Sequence, residues 1–165
     1  MPKTVWYSSV FQIYKKIGRI DKWYVIKKKL FKTEGEKCWI CGIINTKLEA
    51  HEFWDYDDEN HIQKLSAIHH LGSMCHKIKH IGLWGHTTRG SNMLSKIGLT
   101  IEDLITHFCS INKCSRQEFE AHKQYAFKIY RQRSQFQWTQ DFGVYDLEGM
   151  LKHFIESGNK VRRSD

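Results

Sequence analysis

Two cysteines two residues apart, Cys38-Trp-Ile-Cys41, followed 34 residues after the second by Cys75-His76-Lys-Ile-Lys-His80, constrain this chain more than any other feature of it. A CxxC knuckle sends two thiolates to one point, and histidines four residues apart stack on one face of a helix. Between the two motifs lies Leu48-Glu49-Ala50-His51-Glu52, which brings a third imidazole into the same short stretch. The spacing predicts two metal jobs: one cation holds a small fold together, and another does chemistry.

The rest of the composition narrows the setting. Five cysteines with a single CxxC pair, in a chain without a secretory pattern at its start, point to metal thiolates rather than a disulfide framework, and to the cytoplasm. No apolar run reaches the ~18 residues that span a bilayer, so no membrane partner is expected. Lys and Arg number 26 against 18 Asp and Glu, a net charge of +8, which favours polyanions and nucleic acid first among them. A hydrophobic share of 41% over 165 residues supports one domain, or a compact core with helical flanks, and Pro2 is the sole proline.

Residues 9 to 17 and 21 to 32 read as helices. In the second, Trp23, Ile26 and Leu30 recur at three- and four-residue steps, with Lys27, Lys28 and Lys29 largely on the other faces, as a solvated or a phosphate-contacting surface. Thr33-Glu-Gly-Glu-Lys37 breaks the pattern and turns the chain into the Cys38 knuckle. Ile43-Ile44, then Leu48 and Phe53, predict two short strands joined by Asn45-Thr46-Lys47, with His51 on or just after the second. The acidic run Asp55, Asp57, Asp58 and Glu59 reads as a loop continuing to Asn60 and His61, and Leu65 to Leu71 leads into a helix beginning near Ser73. Gly85, Gly90 and Gly98 mark residues 82 to 98 as loop-rich, with a short helical piece near 93 to 97. Thr100 caps a helix holding Ile101, Leu104, Ile105 and Phe108, and Ser115 with Glu118 has the form of a capping box opening a longer one. Cys109 and Cys114 read as buried small residues, and His61, His86, His107, His122 and His153 as ordinary surface or core histidines.

Together the residues resemble an HNH endonuclease, a nuclease family in which two strands and one helix, a ββα-metal core, clasp a divalent cation. The cysteine-bearing version of the family reads CxxC, then a histidine-containing strand, then LCxxCHxxxH at the start of the helix. Leu71-Gly-Ser-Met-Cys75-His76-Lys-Ile-Lys-His80 follows that last part closely. The segments from His51 to His61 and from Lys79 to Leu83 look like a bacterial and phage subgroup, and the likeness runs over about residues 20 to 148. It implies an α+β fold, mainly helical, with an N-terminal helical segment at 1–35, the ββα-metal core at 36–82, a C-terminal helical region at 83–155 and a flexible basic tail at 156–165.

The resemblance also implies a structural zinc on Cys38, Cys41, Cys75 and a fourth cysteine, but Gly72 stands at the fourth place. Either His69 or His70 substitutes, another ligand completes a three-cysteine site, or the knuckle holds no zinc. For the catalytic cation it implies His51, His76 and His80, carrying Mg²⁺ or Mn²⁺, with Zn²⁺ or Ni²⁺ as further candidates. Many relatives carry two adjacent strand histidines, ligand then base, whereas this chain has His51-Glu52. If His51 is the ligand, Glu52 stands where the base belongs; if His51 is the base, Ala50 holds the ligand place and Glu49 or Asp55 joins the metal. The family's asparagine falls about at Ala67, so the loop-bracing role is unassigned.

The expected activity is hydrolysis of phosphodiester bonds, with double-stranded DNA as partner and phage or mobile-element defence as the setting. Lys77, Lys79, Arg89, Arg131 and Arg133 are the candidate nucleic-acid contacts, interleaved with Trp84, Tyr130, Phe136 and Trp138, which serve equally as packing. A homodimer would let two sites cut both strands. The competing expectations are a catalytically degenerate module that grips nucleic acid or a protein without cutting, and a purely structural zinc protein.

Overall fold

A computed structural model describes residues 1–44 and 46–158. Residue 45 of the expected Asn45-Thr46-Lys47 turn and residues 159–165 of the expected basic tail lie outside the described residues. Helices α1 (Val10–Lys16) and α2 (Ile20–Glu34) precede strands β1 (Leu48–Asp57) and β2 (Ile62–Gly72). Helices α3 (Ser73–Lys79), α4 (Ile81–His86), α5 (Thr88–Lys96), α6 (Ile101–Asn112) and α7 (Arg116–Arg133) follow, then strand β3 (Thr139–Asp141) and helix α8 (Met150–Glu156). The fold is α+β and mainly helical, with a three-stranded sheet of order β1-β2-β3. Among the described residues no helix is long and apolar enough to cross a membrane.

The hairpin differs from the expected one. The segment from Asp55 to Asp57 continues β1, and the residues from Leu65 to Leu71 are strand, joined by a four-residue turn that makes the two strands run antiparallel. Asp57 builds that turn: its carboxylate accepts from the N–H groups of Glu59 at 3.1 Å and Asn60 at 2.9 Å, and from Asn60 Nδ2 at 2.7 Å. Ile44, expected to start a strand paired with β1, instead bridges back to Lys37. The stretch from 82 to 98 is also not a loop but mostly two helices, and its glycines at 85 and 90 serve packing. A Cβ on Gly90 would stand 2.0 Å from the Leu83 carbonyl oxygen, so only glycine lets α5 lie this close to α4.

The chain forms two compact units, divided within α2, β1, β2 and α7. The first comprises Met1–Thr33, Glu52–His69 and the described chain from Phe127 onward. Ser9 opens α1 with a capping box to Gln12, and the inward stripe of α2 is Trp23, Ile26 and Leu30, as the periodicity predicts. With Val10, Ile13, Leu65, Ile68, Phe142, Leu151 and Phe154 these residues make an apolar core, each large side chain contributing about 1.5–3 kcal/mol by burial. Several polar groups inside it are paired. Tyr14 donates to the Tyr145 carbonyl and accepts from the Leu147 N–H, both at 2.9 Å, and Gln63 bridges Tyr56 and Gln140 where β2 and β3 run parallel.

The second unit comprises Glu34–His51 and His70–Ala126. The knuckle is a tight ribbon: Cys38 N–H donates to the Ile43 carbonyl, and Gly42, at φ +72°, donates to the Cys38 carbonyl, both at 2.9 Å. Trp39 N–H ties it to the His70 carbonyl of β2 at 2.8 Å. Helix α3 packs on α6, with Leu71, Leu94, Leu104, Ile105 and Phe119 buried around them. Capping boxes at Thr100 with Asp103 and at Ser115 with Glu118 open α6 and α7 as expected.

Candidate metal centres

Strand β1 and helix α3 bring His51, His76 and His80 together, with one ligand atom of each within 4.8 Å of the others. The ring centroids stand 5.2 Å apart for His51 and His76, 4.9 Å for His51 and His80, and 4.8 Å for His76 and His80. The four-residue spacing works even though α3 ends before His80. That residue is the helix cap, its N–H bonded to the Lys77 carbonyl at 3.0 Å, so the last turn tightens without swinging the ring away. His80 is exposed and the other two are half-buried, which leaves one side of the cluster open to solvent.

The electrostatics favour neutral rings. Burial, followed by the charges of His80 and His76, takes His51 down to about 2, and burial followed by His76 takes His80 to about 4. Burial also lowers His76, against the pull of Glu49. Glu49, two residues before His51 and so on the same face of β1, accepts from His76 Nδ1 at 2.5 Å. A carboxylate only accepts, so Nδ1 carries the proton and the Nε2 lone pair of His76 is left for a cation. Three neutral imidazoles, one oriented by a carboxylate, can hold a divalent metal and leave positions for water and a phosphate oxygen.

Glu52 does not join them. Alternation along the strand turns it to the opposite face, where its carboxylate accepts from the N–H groups of Val10 and Phe11 at the start of α1. Burial pushes that carboxyl up to about 7. Sequence reasoning weighed Glu49 only as a spare ligand, although its two-residue step from His51 signals a shared face.

The second cluster joins Cys38, Cys41 and Cys75, again with ligand atoms within 4.8 Å of one another. Burial opposes a thiolate at Cys38, yet the N–H groups of Cys41, Gly72 and Ile40 aimed at it bring its thiol below the ordinary value. Burial, with Cys41 and Cys38 alongside, pushes the Cys75 thiol up. Such crowding of sulfurs calls for a cation between them, and a thiol-rich set suits zinc. Gly72 thus contributes its backbone N–H, and the space beside it is tight: a Cβ there would meet Ile43 Cγ2 at 3.2 Å and Thr46 Cγ2 at 3.3 Å. None of His69, His70 and His107 belongs to the group as it stands. His69 stacks edgewise on Phe53, and His70 is fully buried with its N–H on Glu34. The imidazole that does reach a sulfur is His107, whose Nε2 lies 3.3 Å from Cys75 Sγ.

The expected nucleic-acid contacts differ in their exposure. Lys79 and Arg89 are exposed in the second unit, and Arg131 in the first. Lys77 is turned inward, bonded to Ser73 and lying over the Trp84 ring at 5.1 Å. Arg133 grips Asp58 through two 2.7 Å bonds and stacks on Tyr56 at 3.9 Å. Trp138 is buried and donates to the Arg133 carbonyl, and Phe136 stacks on His61 at 4.2 Å, so these aromatics pack within the first unit. The acidic run forms the hairpin turn and the Arg133 pair rather than a further cation cluster among the described residues. No protein-family model matches the chain, and neither the curated proteins nor the solved structures compared with it provide a match.

Proposed function

We propose that this chain is a metal-dependent endonuclease of HNH type, hydrolysing phosphodiester bonds in DNA at the histidine cluster, with β1, β2 and α3 as its ββα-metal core. The observation that carries this reading is the convergence of His51, His76 and His80 from a strand and a helix onto one solvent-open point. A divalent cation held there supplies Lewis acidity toward a phosphodiester oxygen and acidifies a bound water. An all-imidazole set favours Ni²⁺ or Zn²⁺ over Mg²⁺ and Mn²⁺, which prefer oxygen ligands.

The chain's own groups divide the remaining work. Glu49 fixes the ring of His76 and the tautomer it presents. His80, at the exposed end, stands where substrate enters. Water adds to phosphorus, the bond to the leaving oxygen breaks, and the water's proton passes to a base. With Glu52 occupied at α1, that base is Glu49 where His51 holds the cation, and His51 where it leaves the cation to the other ligands. Lys79 and Arg89 are exposed cations of this unit, among the expected contacts, for the phosphate backbone.

Supercoiled plasmid incubated with the protein and each metal is expected to be nicked or linearised, and EDTA, His51→Ala or His80→Ala to abolish cutting. Plasmid left intact with every metal, by a protein that still retards DNA, would replace this reading with a binding module of the same fold. Cutting that survives both substitutions would place the chemistry elsewhere.

A further inference from the structure

We propose that His107, on α6, is the fourth ligand of a zinc site formed with Cys38, Cys41 and Cys75. Three sulfurs already converge, and a closed zinc site takes four ligands in a tetrahedron. The position after Leu71, from which a fourth thiol would come, is Gly72, and Ile43 and Thr46 crowd the place a Cβ would take there. His107 approaches from a different element. Its Nε2 stands 3.3 Å from Cys75 Sγ, close to the separation of about 3.6 Å between two ligands on one tetrahedral zinc. It is not within 4.8 Å of all three sulfurs, so closing the site takes a shift of the ring toward Cys38 and Cys41.

The placement has a cause in the sequence. Leu104 and Ile105 anchor the buried side of α6, and His107, three residues beyond Leu104, lies on that same side. Helix α3, which carries Cys75, packs on α6, so the imidazole meets Cys75 at the edge of the thiol cluster as part of a helix-helix contact. A zinc held this way fastens three segments of the second unit: the knuckle, α3 and α6. The site is independent of the histidine cluster and of the activity proposed for it.

The test uses the full chain carrying His51→Ala and His80→Ala, so that only the thiol site takes metal. Metal content and affinity are measured by chelator competition, and the ligand set by the visible absorption of the Co²⁺-loaded protein. The expected result is one tightly held zinc and a cobalt spectrum of three thiolates and one nitrogen. His107→Cys should convert that spectrum to a four-thiolate one while keeping the metal, and His107→Ala should weaken zinc at least about tenfold, the loss that even an outer partner of a ligand can cause. His70→Ala should leave the spectrum unchanged. A wild-type-like spectrum in His107→Cys, a spectrum that moves in His70→Ala instead, or no zinc on the three cysteines would overturn the proposal. The last of these would make the Cys75–His107 approach a simple thiol–imidazole hydrogen bond. His107→Cys keeps the question open to measurement if the alanine variant fails to fold.

Discussion

Glu49 and Glu52 lie three residues apart on one strand and have opposite duties. Glu49 shares the face of His51 and orients His76, so Glu49→Gln, which removes the charge but keeps the shape, should weaken metal binding by about 10- to 100-fold and cutting with it. Glu52 faces the other way and bonds the first N–H groups of α1, so Glu52→Gln should leave metal affinity and cutting near wild type. Its signature is in stability. The folded chain holds the Glu52 proton up to about 7 against an ordinary value of 4.5. A carboxyl raised in this way contributes stability that is fully present below about 4.5 and is lost as pH climbs through 7. The buried charge costs at most about 3 kcal/mol above that window. Urea titrations from pH 4 to 8 should show wild type losing stability across this range relative to Glu52→Gln. A Glu52→Gln variant that folds identically but stops cutting would instead return Glu52 to the chemistry.

At the level of elements, local chemistry was readable and long-range pairing was not. The helices α1, α2, α6 and α7 follow from apolar stripes and from caps at Ser9, Thr100 and Ser115, all signals contained within a few residues. Strand β2 escaped because its buried positions include Gln63 and His70, polar side chains in core places, and because the buried phase shifts between Leu65 and Ile68. The glycines at 85 and 90 were read as loop punctuation when their role is the close approach of neighbouring elements. The two glycines also differ measurably. A methyl on Gly90 meets backbone at 2.0 Å, whereas one on Gly85 meets the movable end of Ile101 at 2.8 Å. Gly90→Ala should therefore cost about 3 kcal/mol or more and Gly85→Ala clearly less, read as denaturation midpoints. Equal costs would mean that α4 and α5 can slide apart freely.

For the whole molecule, the histidine cluster was legible because two of its members sit four residues apart and the third is alone on a strand between the metal motifs. The fourth partner of the thiols was not, because α6 enters the site from beyond two further helices and no spacing rule links His107 to Cys75. Charge is legible at once, but its distribution is not: of +8 in total, Arg133 is committed to Asp58 and Lys77 to Ser73. DNA affinity, in the proposed reading, therefore rests on the cations left in solvent, Lys79, Arg89 and Arg131 among them. Counterion release gives a slope of about −0.9 in log affinity against log salt for each phosphate neutralised. His80→Ala, unable to cut, is the protein in which to measure it. Its affinity for duplex DNA should fall linearly on that plot, and Lys79→Ala or Arg89→Ala should each reduce the slope by about one, whereas Arg133→Ala should lower stability without changing it. A slope unchanged by Lys79→Ala and Arg89→Ala but reduced by Arg133→Ala would mean that the Asp58 pair opens to bind DNA.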